Sequence, residues 1–151
     1  MNGLDQDFIN CLDDVDWLCS TNNVYECPEE LGGYTKGIRQ TYTIKSKFCF
    51  ASEMEIFGSY GGNSDGSTVF DLYNGAEADD RKKYRGTSAQ VWWLRSPYWY
   101  NAGHERSVTS SGSADYNGAY YSYAVVPACQ ISRDSEVTEW VSEKATAKKA
   151  I

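Results

Sequence analysis

At 151 residues, 41% apolar and 23% charged with 3 Pro, the chain has the length of one globular domain and is short for two. Fourteen Lys and Arg stand against 21 Asp and Glu, and the net −7 argues against a nucleic-acid or anionic-membrane partner held through phosphates. No window approaches the roughly 20 apolar residues of a membrane helix, and the acidic opening MNGLDQDFIN lacks the basic-then-apolar order of a signal peptide, so a soluble, untargeted chain without membrane insertion is expected.

Residues 1–30 hold eight acids (Asp5, Asp7, Asp13, Asp14, Asp16, Glu26, Glu29, Glu30) and no Lys or Arg, which leaves the remainder near neutrality. Aromatic residues reach 15%, led by 12 Tyr and 5 Trp, a share suited to surfaces that touch a partner. The five cysteines (Cys11, Cys19, Cys27, Cys49, Cys129) are odd in number and contain no C-x-x-C pair, so neither a zinc knuckle nor a thioredoxin-like motif is read. Reduced, buried thiols are expected rather than disulfides.

In chain order, Leu4, Phe8, Cys11, Leu12, Val15 and Cys19 fall at spacings of four and three, which predicts an amphipathic helix over 4–19, with Asn22, Asn23 and Pro28 marking its exit. Gly32, Gly33 and Gly37 punctuate the next stretch. Segments 41–44 and 47–50 carry the β-branched and aromatic residues of strands. Ser52-Glu53-Met54-Glu55 spells a capping box that opens a short helix, stopped by Gly58. Residues 58–67 form a loop by composition, and 77–85 is a charged segment ending at Gly86. The apolar run 91–94 and the segment AYYSYAVV at 119–126 are strand candidates expected in one sheet. Beyond Ser132, Val137, Trp140 and Val141 stand at helical spacing before a frayed end. The periods together predict an α+β class, with one domain over 1–131 and a tail over 132–151.

The stretch 98–123 is the informative one. Its 26 residues hold six Tyr, five Ser, three Gly, three Ala and two Asn, and no Lys, Leu, Ile, Phe or Met. That is the composition of an antibody's contact loops, where Tyr supplies stiff two-faced area and Ser, Gly and Asn adapt their hydrogen bonds. The plainer alternative is a Gly/Ser-rich loop with no partner.

The runs Trp92-Trp93-Leu94-Arg95-Ser96-Pro97-Tyr98, Ser107 to Ala114 and Tyr121 to Cys129, with Ser52 to Gly58 upstream, resemble the signature of an uncharacterised bacterial and phage domain family. The likeness covers roughly residues 4–131. Members look like C-type-lectin-fold proteins related to the formylglycine-generating-enzyme type, and many serve as variable proteins of diversity-generating retroelements in gut bacteria and their phages. The resemblance implies a C-type-lectin-like fold with short helices, a small antiparallel sheet and long ordered loops. It also implies mutation at AAY codons, which cannot become Trp, Met, Lys, Gln or Glu; over 98–123 only Trp99 and Glu105 break that rule. The candidate variable, ligand-binding positions are Tyr100, Asn101, Gly103, His104, Ser107, Thr109, Ser110, Ser111, Ser113, Asp115, Tyr116, Asn117, Tyr120, Tyr121 and Tyr123. Trp92, Trp93, Leu94, Arg95, Val108, Val125 and Val126 would be the scaffold beneath them.

Catalytic readings are weaker. His104 is the sole histidine, so a nucleophilic scheme must pair it with a cysteine such as Cys49 or Cys129, yet it sits among adaptable residues unsuited to holding a base. Copper-binding cysteines of the formylglycine-generating relatives have no matching pair here. Asn63, Asp65 and Gly66 faintly resemble a calcium loop, but Gly61 and Leu72 occupy ligand positions of an EF-hand. Glu77, Asp79 and Asp80 read as a solvated turn pairing with residues 81–83. Arg95 reads as structural, bonded to a carboxylate or carbonyl. The expected function is therefore recognition without catalysis, metal or cofactor. The ligand would be a cell-surface protein or glycan; the resemblance implies a virion or bacterial surface as the location, with the cytoplasm as the alternative. The alternatives are an assembly module of a phage tail or surface protein, and an enzyme using Cys or a metal.

Overall fold

The computed structural model describes residues 6–20, 41–58 and 66–132. The expectations for Cys27, for the glycines at 32–37, for Asn63 and Asp65 and for the tail from 133 lie outside the described residues.

The first element differs from its expectation. A helix forms only over Gln6–Asn10 (α1), where Gln6 Nε2 donates to Asn10 Oδ1 at 3.0 Å, and Val15–Ser20 is a strand (β1). Val15 and Cys19 stand four apart, a spacing that a period of 3.6 and a period of 2 both satisfy. Trp17, between them, breaks the tie: Trp17 and Cys19 are buried while Asp16 is exposed. Thr41–Ser46 (β2) supplies the antiparallel partner, setting Trp17 opposite Ile44, and the Trp17 indole donates to the Ser46 carbonyl at 2.8 Å.

Cys49–Phe50 (β3) pairs with Pro127–Ala128 (β9). Glu53–Phe57 (α2) follows β3 with both halves of its capping box formed: Ser52 Oγ accepts from the Glu55 amide at 3.2 Å, and Glu55 Oε2 accepts from the Ser52 amide at 2.8 Å. Gly58, at φ 71°, ends the helix and donates to the Met54 carbonyl. Single 3₁₀ turns at Asp71–Tyr73 and Ala78–Arg81 lead to a hairpin of Lys83–Arg85 (β4) and Ser88–Gln90 (β5).

Trp92–Pro97 (β6), His104–Val108 (β7) and Ala114–Gly118 (β8) then form an antiparallel three-stranded sheet, irregular between Trp93 and Pro97. The second strand expected over 119–126 is not there. Tyr121 donates its amide to the Gly118 carbonyl in a tight turn, and only Ala124 returns to the sheet, through a parallel bridge to Trp92. High β-propensity in this segment is spent on rings stacking on one another, with no ladder partner beside them. The class is thus mixed α+β, built from a few short helices and small antiparallel sheets.

Ala51, Ile56, Tyr73, Trp92, Leu94 and Val108 make the core, flanked by Phe57, Val69, Phe70, Ala124 and Val126. It sits between α2, the first 3₁₀ turn and one face of the β6–β8 sheet. Among the described cysteines, Cys11 and Cys19 are buried and Cys49 is half-buried, but Cys129 is exposed, contrary to the expectation of burial. No helix among the described residues is long and apolar enough to cross a membrane.

Candidate functional site

The β6–β8 sheet has two unlike faces, set by its register. Trp92 lies opposite Val108 and Val108 opposite Ala114, so with Leu94, Ser96, Arg106 and Tyr116 they share the inner face. Trp93, Ser107, Asp115, Glu105 and Asn117 share the outer one.

Two ion pairs tie the sheet to α2. Arg106 donates from Nε to Glu53 Oε1 at 2.8 Å, with Nη2 on the same oxygen, and both side chains are almost wholly excluded from water. Arg95 grips Glu55 in a fork of two 2.6 Å bonds and also donates to the carbonyls of Leu18 and Phe50, so one guanidinium joins β1, β3, α2 and β6. The backbone amide of Glu53 is held by Ser96 Oγ at 2.8 Å. Burying a charge is costly unless a partner is held this closely, so the pairs act as fixed joints.

A tyrosine stack lies over the first joint. The rings of Tyr98 and Tyr116 are parallel within 4° at 3.7 Å, with the Arg106 guanidinium 5.8 Å from the Tyr98 ring. Tyr100 meets Tyr98 edge-on at 5.8 Å, and His104 packs about 6 Å from both stacked rings. The His104 Nδ1 is buried and has no hydrogen-bond partner among the described residues. A second ladder runs Trp93, Tyr123, Tyr121, Tyr120, with successive centroids 4.7, 5.6 and 4.6 Å apart. Tyr120 lies against Gly118, where an added Cβ would come within 2.4 Å of its ring. Hydrogen bonding with Tyr121 raises the Tyr120 phenol above its ordinary pKa.

The structure does not bring all fifteen candidate positions together. Tyr100, Asn101, Gly103, Tyr116, Tyr120 and Tyr121 are exposed and His104 half-buried around the end of the sheet where β7 begins and β8 ends, while the half-buried Tyr123 lies against Trp93, in the row that pairs with Ser107. Thr109, Ser110, Ser111 and Ser113 occupy the β7–β8 turn at the other end, a strand length of about 13 Å away. There the Thr109 carbonyl accepts from the Gly112 amide, Thr109 Oγ1 from the Ser113 amide, and Gly112 sits at φ 86° with its α-carbon pressed on the Ala78 carbonyl. Asp115 and Asn117 are half-buried on the outer face. Ser107 is 0% exposed, so it belongs to the frame and not to the contact surface. It lies on β7 between Trp93 and Asp115, where both neighbouring strands cover it.

Of the scaffold residues, Trp92, Leu94 and Val108 are buried and Trp93, Arg95 and Val126 half-buried. Val125 is 57% exposed and supports nothing beneath it. The Glu53–Arg106 joint and the covering role of Tyr98 went unnoticed in the sequence. A signal existed: α2 opens with Glu53 and Glu55, and the strands β6 and β7 each carry one arginine, Arg95 and Arg106.

Asp79 pairs with Lys82 at 2.6 Å and Asp80 caps the Glu77 amide, and no three His, Cys, Asp or Glu side chains converge among the described residues. Away from the tyrosines of the β6–β8 sheet, β1, the first 3₁₀ turn and residues 126–131 border an open, mainly apolar cleft of about 870 Å³ lined by Trp17, Phe70, Leu72 and Tyr73.

No curated protein and no solved structure matches the chain. One family does, over residues 4–133, and it is described as a domain of unknown function, DUF6273. The match spans nearly all of the sequence and takes in α2, both arginine joints and the tyrosine-bearing end of the sheet, and the chain therefore belongs to the DUF6273 family.

Proposed function

We propose that this protein recognises a ligand through the tyrosine-bearing end of the β6–β8 sheet, as the variable protein of a diversity-generating retroelement with a C-type-lectin-like fold. Tyr100, Tyr116, Tyr120 and Tyr121 are the central contacts, with Asn101, Gly103, His104 and Tyr123 beside them; the serines of the β7–β8 turn form a separate rim. One observation carries the reading: Tyr120 is 82% and Tyr100 71% exposed, directly over a sheet whose interior is locked by buried ion pairs. Large rings left in water cost solubility unless they are used, and Tyr offers contact area at little entropic loss. The partner is a cell-surface protein or glycan, met at a virion or bacterial surface.

The test is genetic and needs no ligand. The coding DNA for residues 98–123 is compared with near-identical repeats in the same genome. Differences confined to adenines of a template repeat, at codons for exposed residues, support the reading. A template repeat whose differences fall on all four bases, or at the codons of Trp92, Arg106 and Val108, overturns it.

A further inference from the structure

The outer face of the sheet has a chemistry of its own. Two cross-strand rows lie side by side there, Trp93–Ser107–Asp115 and Pro97–Glu105–Asn117. Ser107 is the floor; its Oγ accepts from Asn117 Nδ2 at 3.2 Å, and the same amide donates to Asp115 Oδ2 at 3.3 Å. Trp93 and Tyr123, in contact at 4.7 Å, rise on the β6 side and the carboxylates on the β7 and β8 side.

Neither carboxylate meets a cation among the described residues. Arg95 shares the face by register, but its guanidinium is taken by Glu55 and by two carbonyls. Arg106 projects to the inner face and Glu53. Glu105 is half-buried, its side chain makes no hydrogen bond or ion pair among the described residues, and its burial pushes its carboxyl up to about 7. A neutral or anionic ligand seated over this face would bury Glu105 further with nothing to compensate it, whereas a cation would compensate it and meet the negative faces of the rings as well. The net charge of −7 draws a basic partner in the same direction.

We propose that this face receives an arginine side chain of a partner protein, its guanidinium set between the Trp93–Tyr123 rings and the carboxylates of Asp115 and Glu105. The planar guanidinium suits both walls, stacking on rings and bonding carboxylates through its fork. The proposal rests on the recognition reading and narrows it to a protein partner with an exposed arginine.

The test is titration of the full chain with N-acetyl-L-arginine amide, following the indole N–H signal of Trp93, assigned with the Trp93→Phe variant. The neutral isostere N-acetyl-L-citrulline amide is the control. The expected result is a saturable shift with the arginine probe alone, weakened tenfold or more in the Glu105→Gln/Asp115→Asn double variant, whose backbone amide spectrum shows an intact sheet. Equal responses to the two probes, no response to either, or undiminished arginine binding by a folded double variant would each overturn it. The coding-DNA comparison does not depend on this titration, so the proposal can fail while the recognition reading stands.

Discussion

Glu53 and Arg106 hold one another where water reaches neither, and this makes them unequal to a surface pair of the same chemistry. Removing one partner leaves the other charge buried and unanswered. Glu53→Gln or Arg106→Leu should therefore cost about 3–5 kcal/mol in urea unfolding, where an exposed pair such as Asp79–Lys82 should cost under about 1 kcal/mol. Glu105 is the opposite case, a carboxylate with burial and no partner. Its folded pKa of about 7 lies above the ordinary 4.5, so the neutral form favours folding; that contribution is complete below pH 4.5 and is lost as pH rises through 7. Glu105→Gln should thus stabilise the protein at pH 8 by on the order of 2 kcal/mol and make no difference at pH 4. Unfolding curves at the two pH values check this, and equal differences at both would show that Glu105 is not desolvated.

At the scale of elements, α2 is too short to persist by propensity, so its cap and its tertiary bonds hold it. Ser52→Ala should cost about 1 kcal/mol or somewhat more, since Ser52 is fully buried and its loss orphans the Glu55 amide. The β7–β8 turn makes a sharper demand: at Gly112→Ala the new methyl would lie 1.7 Å from the Ala78 carbonyl oxygen, so a loss of at least about 2 kcal/mol or a displaced 3₁₀ turn is expected. Such features differ in how far a sequence reveals them. The capping box of α2 was legible because it is local, two side chains answering two amides within four residues. The strand at Val15–Ser20 was not, because its residues fit either period and the decision belonged to a partner strand that begins only at Thr41. The segment 119–126 misled for the related reason that propensity says nothing about whether a strand has a neighbour. Within the site, the tyrosine composition was visible, but a one-dimensional reading could not separate the turn serines from the ring cluster. Nor could it reveal that Ser107, a small polar residue in a variable-looking stretch, is floor.

For the whole molecule the division is between a frame and what it displays. The frame joins β1, β3, α2 and β6 through Arg95, and α2 to β7 through Arg106, around a core centred on Trp92 and Ile56. The display is a set of rings whose exposed members touch chiefly one another. Stability should therefore be insensitive to what those rings are and sensitive to what lies beneath. The direct measurement is the unfolding free energy of the Tyr100→Ser/Tyr120→Ser/Tyr121→Ser triple variant beside that of Arg106→Leu alone. The account predicts a loss below about 1.5 kcal/mol for the three surface changes together and about twice that or more for the single frame change. A triple variant that unfolds as readily as Arg106→Leu would contradict it, because the tyrosines would then be part of the structure they are said to ride on.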